Sequence, residues 1–211
     1  MRHKLPTTLL LASLAIPTAH PQTSATPQNF LVTSGQITKS RDHRLEVTSK
    51  EMRATLKSAP TANQNVTLHF TYLGPTREVA HLGSGEIRHQ FGLKLRAQDT
   101  CNLVYVMWNF DTQKIVVSVK LNPGKRTHED CFDHGYITHL NPAQSAAPPP
   151  LAPNEPHTLS ANLSGQSLTV TADNKLVWQG TLPAIALQFQ GSPGLRSDNA
   201  RLVFDFQSNT Q

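Results

Sequence analysis

FGLKLRAQDTCNLVYVMWNFDTQKIVVSVKL (Phe91–Leu121) decides the fold. Phe91, Leu93 and Leu95 alternate with Gly92, Lys94 and Arg96, the period of two expected of a strand with one buried face. Asn102–Phe110 is apolar on both alternations. Val104, Val106, Trp108 and Phe110 share one face, and Leu103, Tyr105, Met107 and Asn109 the other. That pattern predicts a central strand covered on both sides. After the polar residues 111–114, Ile115, Val117, Val119 and Leu121 form a third alternating run.

The second and third runs form a predicted hairpin. A turn centred between Thr112 and Gln113 sets Phe110 against Ile115, Trp108 against Val117, Val106 against Val119 and Val104 against Leu121. Every such pair is apolar, and a one-residue slip would destroy the match. The opposite face then pairs Asn109 with Val116, Met107 with Ser118 and Tyr105 with Lys120. Lys94 and Arg96 join that polar and aromatic face if the first strand lies alongside. The same register brings Cys101 opposite Gly124, with Cys131 seven residues further on. A Cys101–Cys131 disulfide is expected, pinning the loop to the strand base and contributing about 3 kcal/mol.

The chain opens MRHKLPTTLLLASLAIPTAHPQTSA. A basic start, a short apolar run from Leu9 to Ala15 and small residues after it read as a secretory signal peptide, too short for a membrane span. Cleavage after Ala19 or after Ala25 both fit. The expected organisation is a signal peptide and leader over 1–25 and a single β domain over 26–211, secreted or periplasmic. Two cysteines suit that compartment. Losing the first twenty residues lowers the formal charge from +5 to +3. Without clustered Lys/Arg runs or interleaved aromatics, that balance argues against a nucleic-acid partner. No later stretch is long and apolar enough to be a transmembrane segment.

Further strands follow from alternation. They are a start at Phe30–Val32, Arg44–Val47, the Met52/Ala54/Leu56 alternation in Lys50–Lys57, and Asn65–Tyr72, which the turn-like Leu73–Thr76 ends. Residues 21–30 look like a loose leader. Asn141–Pro156 is Pro/Ala-rich and reads as a long surface loop within the domain. Beyond it come His157–Leu163, Ser167–Ala172 and Lys175–Gly180, turned at Gly165 and at Asp173-Asn174, then Ile185–Phe189 and the alternating Leu202, Phe204 and Phe206. Ten or more short strands and almost no helix predict an all-β antiparallel sandwich.

Three pieces carry a family resemblance: Leu-x-Leu-Arg at Leu93–Arg96 followed by Asn102–Trp108; the histidine-started hairpin over His157–Trp178; and Gly-Leu-Arg-Ser-Asp-Asn before the last Phe strand, Gly194–Phe206. Over roughly residues 60–207 the chain resembles the concanavalin A-like lectin/glucanase superfamily, including its laminin-G-like members. The resemblance implies a jelly roll of two curved antiparallel sheets. It also implies a concave face that receives carbohydrate and a terminal strand packed beside the first.

The glucanases of that superfamily carry Glu-x-Asp-x-Glu on one strand face, supplying the two carboxylates that glycoside hydrolysis needs. None of the six Glu here stands in that pattern. The expected function is therefore non-catalytic binding of a polysaccharide or glycan at the concave face, through Lys94, Arg96, Tyr105, Met107, Asn109 and Lys120. Tyr105 would supply the ring beneath a pyranose, and the amide and cations would take its hydroxyls. The bland alternative is an ordinary Tyr105–Lys120 cross-strand pair. Two other functions stay open: a carbohydrate-active hydrolase or lyase with an unrecognised site, and a structural or protein-interaction module of the cell envelope with an extracellular protein as partner. In the loop after the hairpin, His128, Asp130, Asp133 and His134 are a candidate set for calcium or zinc, at a spacing that matches no specific metal motif. Trp108, Trp178, His69 and His157 are expected in structural positions.

Overall fold

The computed structural model describes residues 23–131 and 137–209. Among the described residues the strands in chain order are β1 (Thr23–Ser24), β2 (Phe30–Ser34), β3 (Thr38–Lys39), β4 (Leu45–Val47), β5 (Glu51–Leu56), β6 (Gln64–Pro75), β7 (Gln90–Ala97) and β8 (Leu103–Asn109). They continue as β9 (Lys114–Lys120), β10 (Ile137–His139), β11 (Gln144–Ser145), β12 (Pro156–Ser164), β13 (Ser167–Ala172), β14 (Lys175–Thr181), β15 (Ser192–Asp198) and β16 (Ala200–Ser208). Every pairing is antiparallel. One sheet runs β11-β14-β13-β12-β6-β16-β4-β3, with β1 also on β16; the other runs β10-β9-β8-β7-β15-β5-β2. The pairing of β1 with β16 places first and last strands side by side, as the resemblance implies.

The core lies between the sheets. Leu93, Val106, Trp108 and Val117 from the seven-stranded sheet meet Leu68, Phe70, Phe204 and Val170 from the other. Phe70 stands edge-on to Phe91 and Trp108 at 5.8 and 5.7 Å, a favoured aromatic geometry. Trp108 and Trp178 are both buried in this core. Aromatic and β-branched side chains at every second position drive the assembly, each full burial contributing about 1.5–3 kcal/mol.

The central hairpin keeps its expected faces but shifts by two residues. Trp108 opposes Ile115, Val106 opposes Val117 and Val104 opposes Val119. The turn is one residue earlier than expected, because Asn109 Oδ1 accepts the Thr112 amide and Gln113 takes a left-handed φ of 52°. Periodicity fixes which face a residue occupies; the register within that parity is set by turn chemistry. Tyr105 therefore faces Ser118, and Lys120 faces Leu103.

Three other expectations change. Residues 185–189 are not a strand: Ala184–Gln188 is a 3-10 turn following Pro183. The strand expected to stop at Leu73 continues to Pro75, because Gly74 adopts φ 99° and a bulge opposite lets Ala200 pair with Pro75. Residues 23–25, expected in a leader, belong to the sheet: Ser24 pairs with Gln207, and the Ala25 amide donates to Phe206 O at 2.8 Å. The predicted signal peptide otherwise falls in residues 1–22, outside the described residues. The Pro/Ala-rich stretch is a surface connection whose Gln144–Ser145 adds only an edge strand.

Candidate functional site

The two sheets differ on their outer faces. Strand β12 alternates buried and exposed or half-buried residues, as does β16 with half-buried ones, so the nine-stranded sheet shows solvent a polar outer surface. Strands β7 and β8 are buried at every position. Cross-strand partners define the outer rows of this second sheet. Lys94 lies between Gly194 and Tyr105, and Tyr105 continues to Ser118. In the next row Arg53 opposes Arg196, Arg196 opposes Gly92, and Gly92 opposes Met107. A third joins Glu51, Asp198, Gln90 and Asn109. A polar set on a sheet face remote from the core, and yet dehydrated, is what needs explaining.

Asp198 organises it. Its carboxylate accepts Arg53 Nη2 at 2.6 Å and Arg196 Nε at 2.8 Å, and Gln90 Nε2 at 2.6 Å. Burial alone would raise its pKa, but the two guanidiniums and the Gln90 amide hold the carboxyl below its ordinary range. Burial opposes the Arg196 charge, and Asp198 with Tyr105 more than restores it. The Arg196 guanidinium also lies over the Tyr105 ring, 4.9 Å from its centroid. Gly92 makes the row possible, because a Cβ there would meet Val106 O at 2.1 Å.

Lys94 is 3% exposed. Desolvation, then the charges of Arg53, Arg196 and Lys120, push its pKa down to about 7. Among the described residues no side chain forms a hydrogen bond or ion pair with its ammonium. Lys120 is lowered to about 8 by burial and by Arg196 and Arg53, while its Nζ donates to Thr100 O at 3.1 Å.

The structure thus gathers Lys94, Tyr105, Met107 and Lys120 on one face, each buried where an open face is expected. Asn109 shares the face but spends its side chain capping the hairpin turn. Arg96 leaves the group. At φ 47° it sits in a bulge, and its guanidinium donates to Phe189 O, Ala62 O and Leu187 O, tying down the 3-10 turn. Sequence reasoning missed Arg53, Arg196, Asp198 and Gln90. Two of these lie in the Gly194–Asn199 motif singled out above, but only the pairing of β15 with β7 and β5 brings them to the site.

The Cys101–Cys131 disulfide is present, with Cα atoms 5.9 Å apart. It holds the one-turn helix α1 (His128–Cys131) at the Lys120 end of the face. Burial, then Lys120 and Arg53, lower the His128 pKa, which places this loop near the cationic row. Asp130 Oδ2 accepts the Thr127 amide and its own amide donates to Thr127 Oγ1, a reciprocal cap of the turn. Asp133 and His134, the other half of the candidate metal set, lie outside the described residues. His157 Nδ1 bonds Asp173 Oδ2 at 2.8 Å, and its ring packs against Phe70 and Trp108. His69 Nδ1 bonds the Thr158 hydroxyl at 3.0 Å.

No protein-family model matches the sequence, and comparison with curated proteins gives no match. Solved structures do match. The chain is similar to the carbohydrate binding module CBM66 from Bacillus subtilis, at TM-score 0.57 and 13% identity over 83% of this chain and 91% of that one. It is similar to the VIP36 exoplasmic/lumenal domain in its Ca2+/Man-bound form, at TM-score 0.51 and 12% identity over 87% and 83% of the two chains. The metal-free carbohydrate recognition domain of Emp46p gives TM-score 0.50 and 10% identity over 86% and 88%. At such identities the likeness is one of fold, and it agrees with the two-sheet topology: the chain has a concanavalin A-like jelly-roll fold.

Proposed function

We propose that this protein is a carbohydrate-binding domain that takes its ligand at the outer face of the seven-stranded sheet, the face that the resemblance makes concave. The observation that carries the proposal is Lys94, a lysine 3% exposed with no partner for its ammonium among the described residues. A lysine desolvated without a partner is disfavoured in its charged form, and such groups concentrate at binding and catalytic sites. Carbohydrate-binding neighbours of the same fold support the ligand class. Lys94, Tyr105, Met107 and Lys120, joined by Arg196 and Gln90, are the contacts. The domain acts by binding alone, outside the cytoplasm.

Incubation with a panel of neutral and acidic polysaccharides tests this, scoring retention and reducing-end release in the same tubes. Retention by wild type that is lost in a folded Tyr105→Ala variant is expected. Release of reducing ends would replace binding with catalysis. Retention unaffected by Tyr105→Ala would move the site elsewhere.

A further inference from the structure

Building on the glycan-binding reading of this face, we propose that its ligand is an acidic polysaccharide, with a carboxylate or sulfate group received by Lys94 beside Arg196 and Lys120.

Four cations reach the face from four strands: Arg53 on β5, Lys94 on β7, Lys120 on β9 and Arg196 on β15. The single carboxylate at its centre, Asp198, is shared by the two arginines and satisfied by Gln90 as well. Glu51, at one end, accepts from Ser34 Oγ. Asp99, at the other, accepts the Cys101 and Asn102 amides and the Asn102 side chain, and only partly offsets the charges on the lysines. Both lysines are thus left without a carboxylate partner. Hydroxyl groups of a neutral sugar would leave that excess standing; an anion cancels it and supplies the acceptor that Lys94 lacks. The ring of Tyr105 points the same way, since Arg196 already lies on one of its faces, where a neutral pyranose would stack.

The pH dependence separates this site from general attraction to a basic chain of formal charge +5. The charged groups acting on Lys94 are Arg53, Arg196, Lys120 and Asp99, with Tyr105 its cross-strand partner; Glu51 and Asp198 stand two rows along the sheet, and His128 lies by Lys120. Desolvated, and with three cations close by, Lys94 stands at about 7. An anion beside it raises that value, so binding above pH 7 takes up a proton and weakens as pH rises. Exposed lysines and arginines stay charged through the same interval.

Isothermal titration of the full chain with polygalacturonate, dextran sulfate and dextran, at pH 6.5, 7.5 and 8.5, makes the test. The expected result is an acidic polymer bound about tenfold or more tightly than dextran, with proton uptake at pH 7.5 and 8.5. Which acidic polymer binds distinguishes carboxylate from sulfate. Lys94→Met should lose about tenfold and the pH dependence between 6.5 and 7.5, leaving only what Lys120 adds near 8, whereas exposed Lys175→Met should change neither. If Lys94→Met does not fold, Lys120→Met serves: affinity should fall by a similar factor, and the proton uptake carried by Lys94 should remain. Dextran or other neutral polymers bound as tightly as acidic ones would overturn the acidic ligand and leave glycan binding intact. Acidic polymers bound equally by Lys94→Met, or without pH dependence, would overturn the site. Binding of no polysaccharide, acidic or neutral, would overturn both readings.

Discussion

The Arg196 guanidinium and the Tyr105 ring are stacked 4.9 Å apart across a position where Gly92 puts no side chain between neighbouring strands. The contact joins β15, β7 and β8 on the face turned from the core, and it fixes where Arg196 presents its charge. The same guanidinium holds Asp198, so the arginine is both a structural tie and part of the proposed binding surface.

Replacing it should therefore be costly. Arg196→Met leaves Asp198, 2% exposed, with Arg53 as its one guanidinium partner. A loss of about 3–5 kcal/mol is expected in urea unfolding, since breaking a buried pair strands the remaining charge. A loss below about 1 kcal/mol would show that the pair is not dehydrated in solution.

Stability should rise with pH through Lys94. Its folded pKa of about 7 lies below the ordinary lysine value, so between the two the unfolded chain binds more protons than the native one. Its contribution climbs from about pH 7, is complete above the ordinary lysine range, and is lost as pH falls through 7. Lys120 adds to the slope from about 8. Lys94→Met should flatten that slope and unfold later than wild type at pH 6.5. Denaturation curves between pH 6 and 9.5 measure both, and a slope equal in wild type and variant would refute the assignment.

The disulfide should matter in proportion to the loop it closes, 30 residues from Cys101 to Cys131. The double substitution Cys101→Ser/Cys131→Ser is expected to cost about 3 kcal/mol. An unchanged melting temperature would mean that the loop is held by its other contacts, among them the Asn102 amide on Lys125 O.

Asn199 is the hinge at which the chain leaves β15 for β16 and so passes from one sheet to the other. It is fully buried at φ 54°, and its side chain serves the Ala80 amide, Ala80 O and Arg88 O. Asn199→Ala should lose about 2–4 kcal/mol, combining lost bonds with backbone strain. Asn199→Gly should lose about 1 kcal/mol less, because glycine relieves only the strain. Equal losses would assign the whole effect to the hydrogen bonds.

Much of the fold was legible in the sequence. Alternation at Phe91–Leu95, Val104–Phe110 and Ile115–Val119 gave the strands and their faces, because side chains on a strand strictly alternate. The two-residue register shift was not legible: Asn109 capping Thr112 is a local bond that hydrophobic pattern cannot weigh. The 3-10 turn at Ala184–Gln188 was hidden for a related reason, since it is held from a distance by Arg96. At the candidate site, Lys94, Tyr105, Met107 and Lys120 were within reach because they fall in one hairpin and its neighbour. Arg53 and Arg196 were not, because they arrive through pairings of β15 with β5 and β7 about a hundred or more residues apart along the chain.

Methionine methyl NMR reports whether the glycan sits on the outer face of the seven-stranded sheet. Of the three methionines, Met107 lies on the proposed binding face, Met52 lies in the core between the sheets, and Met1 is at the amino terminus. With methyl-labelled methionine, titration with oligogalacturonate and with neutral glucan oligomers should shift the Met107 resonance and leave Met52 in place. Saturable binding that moves neither signal would put the glycan somewhere other than this face.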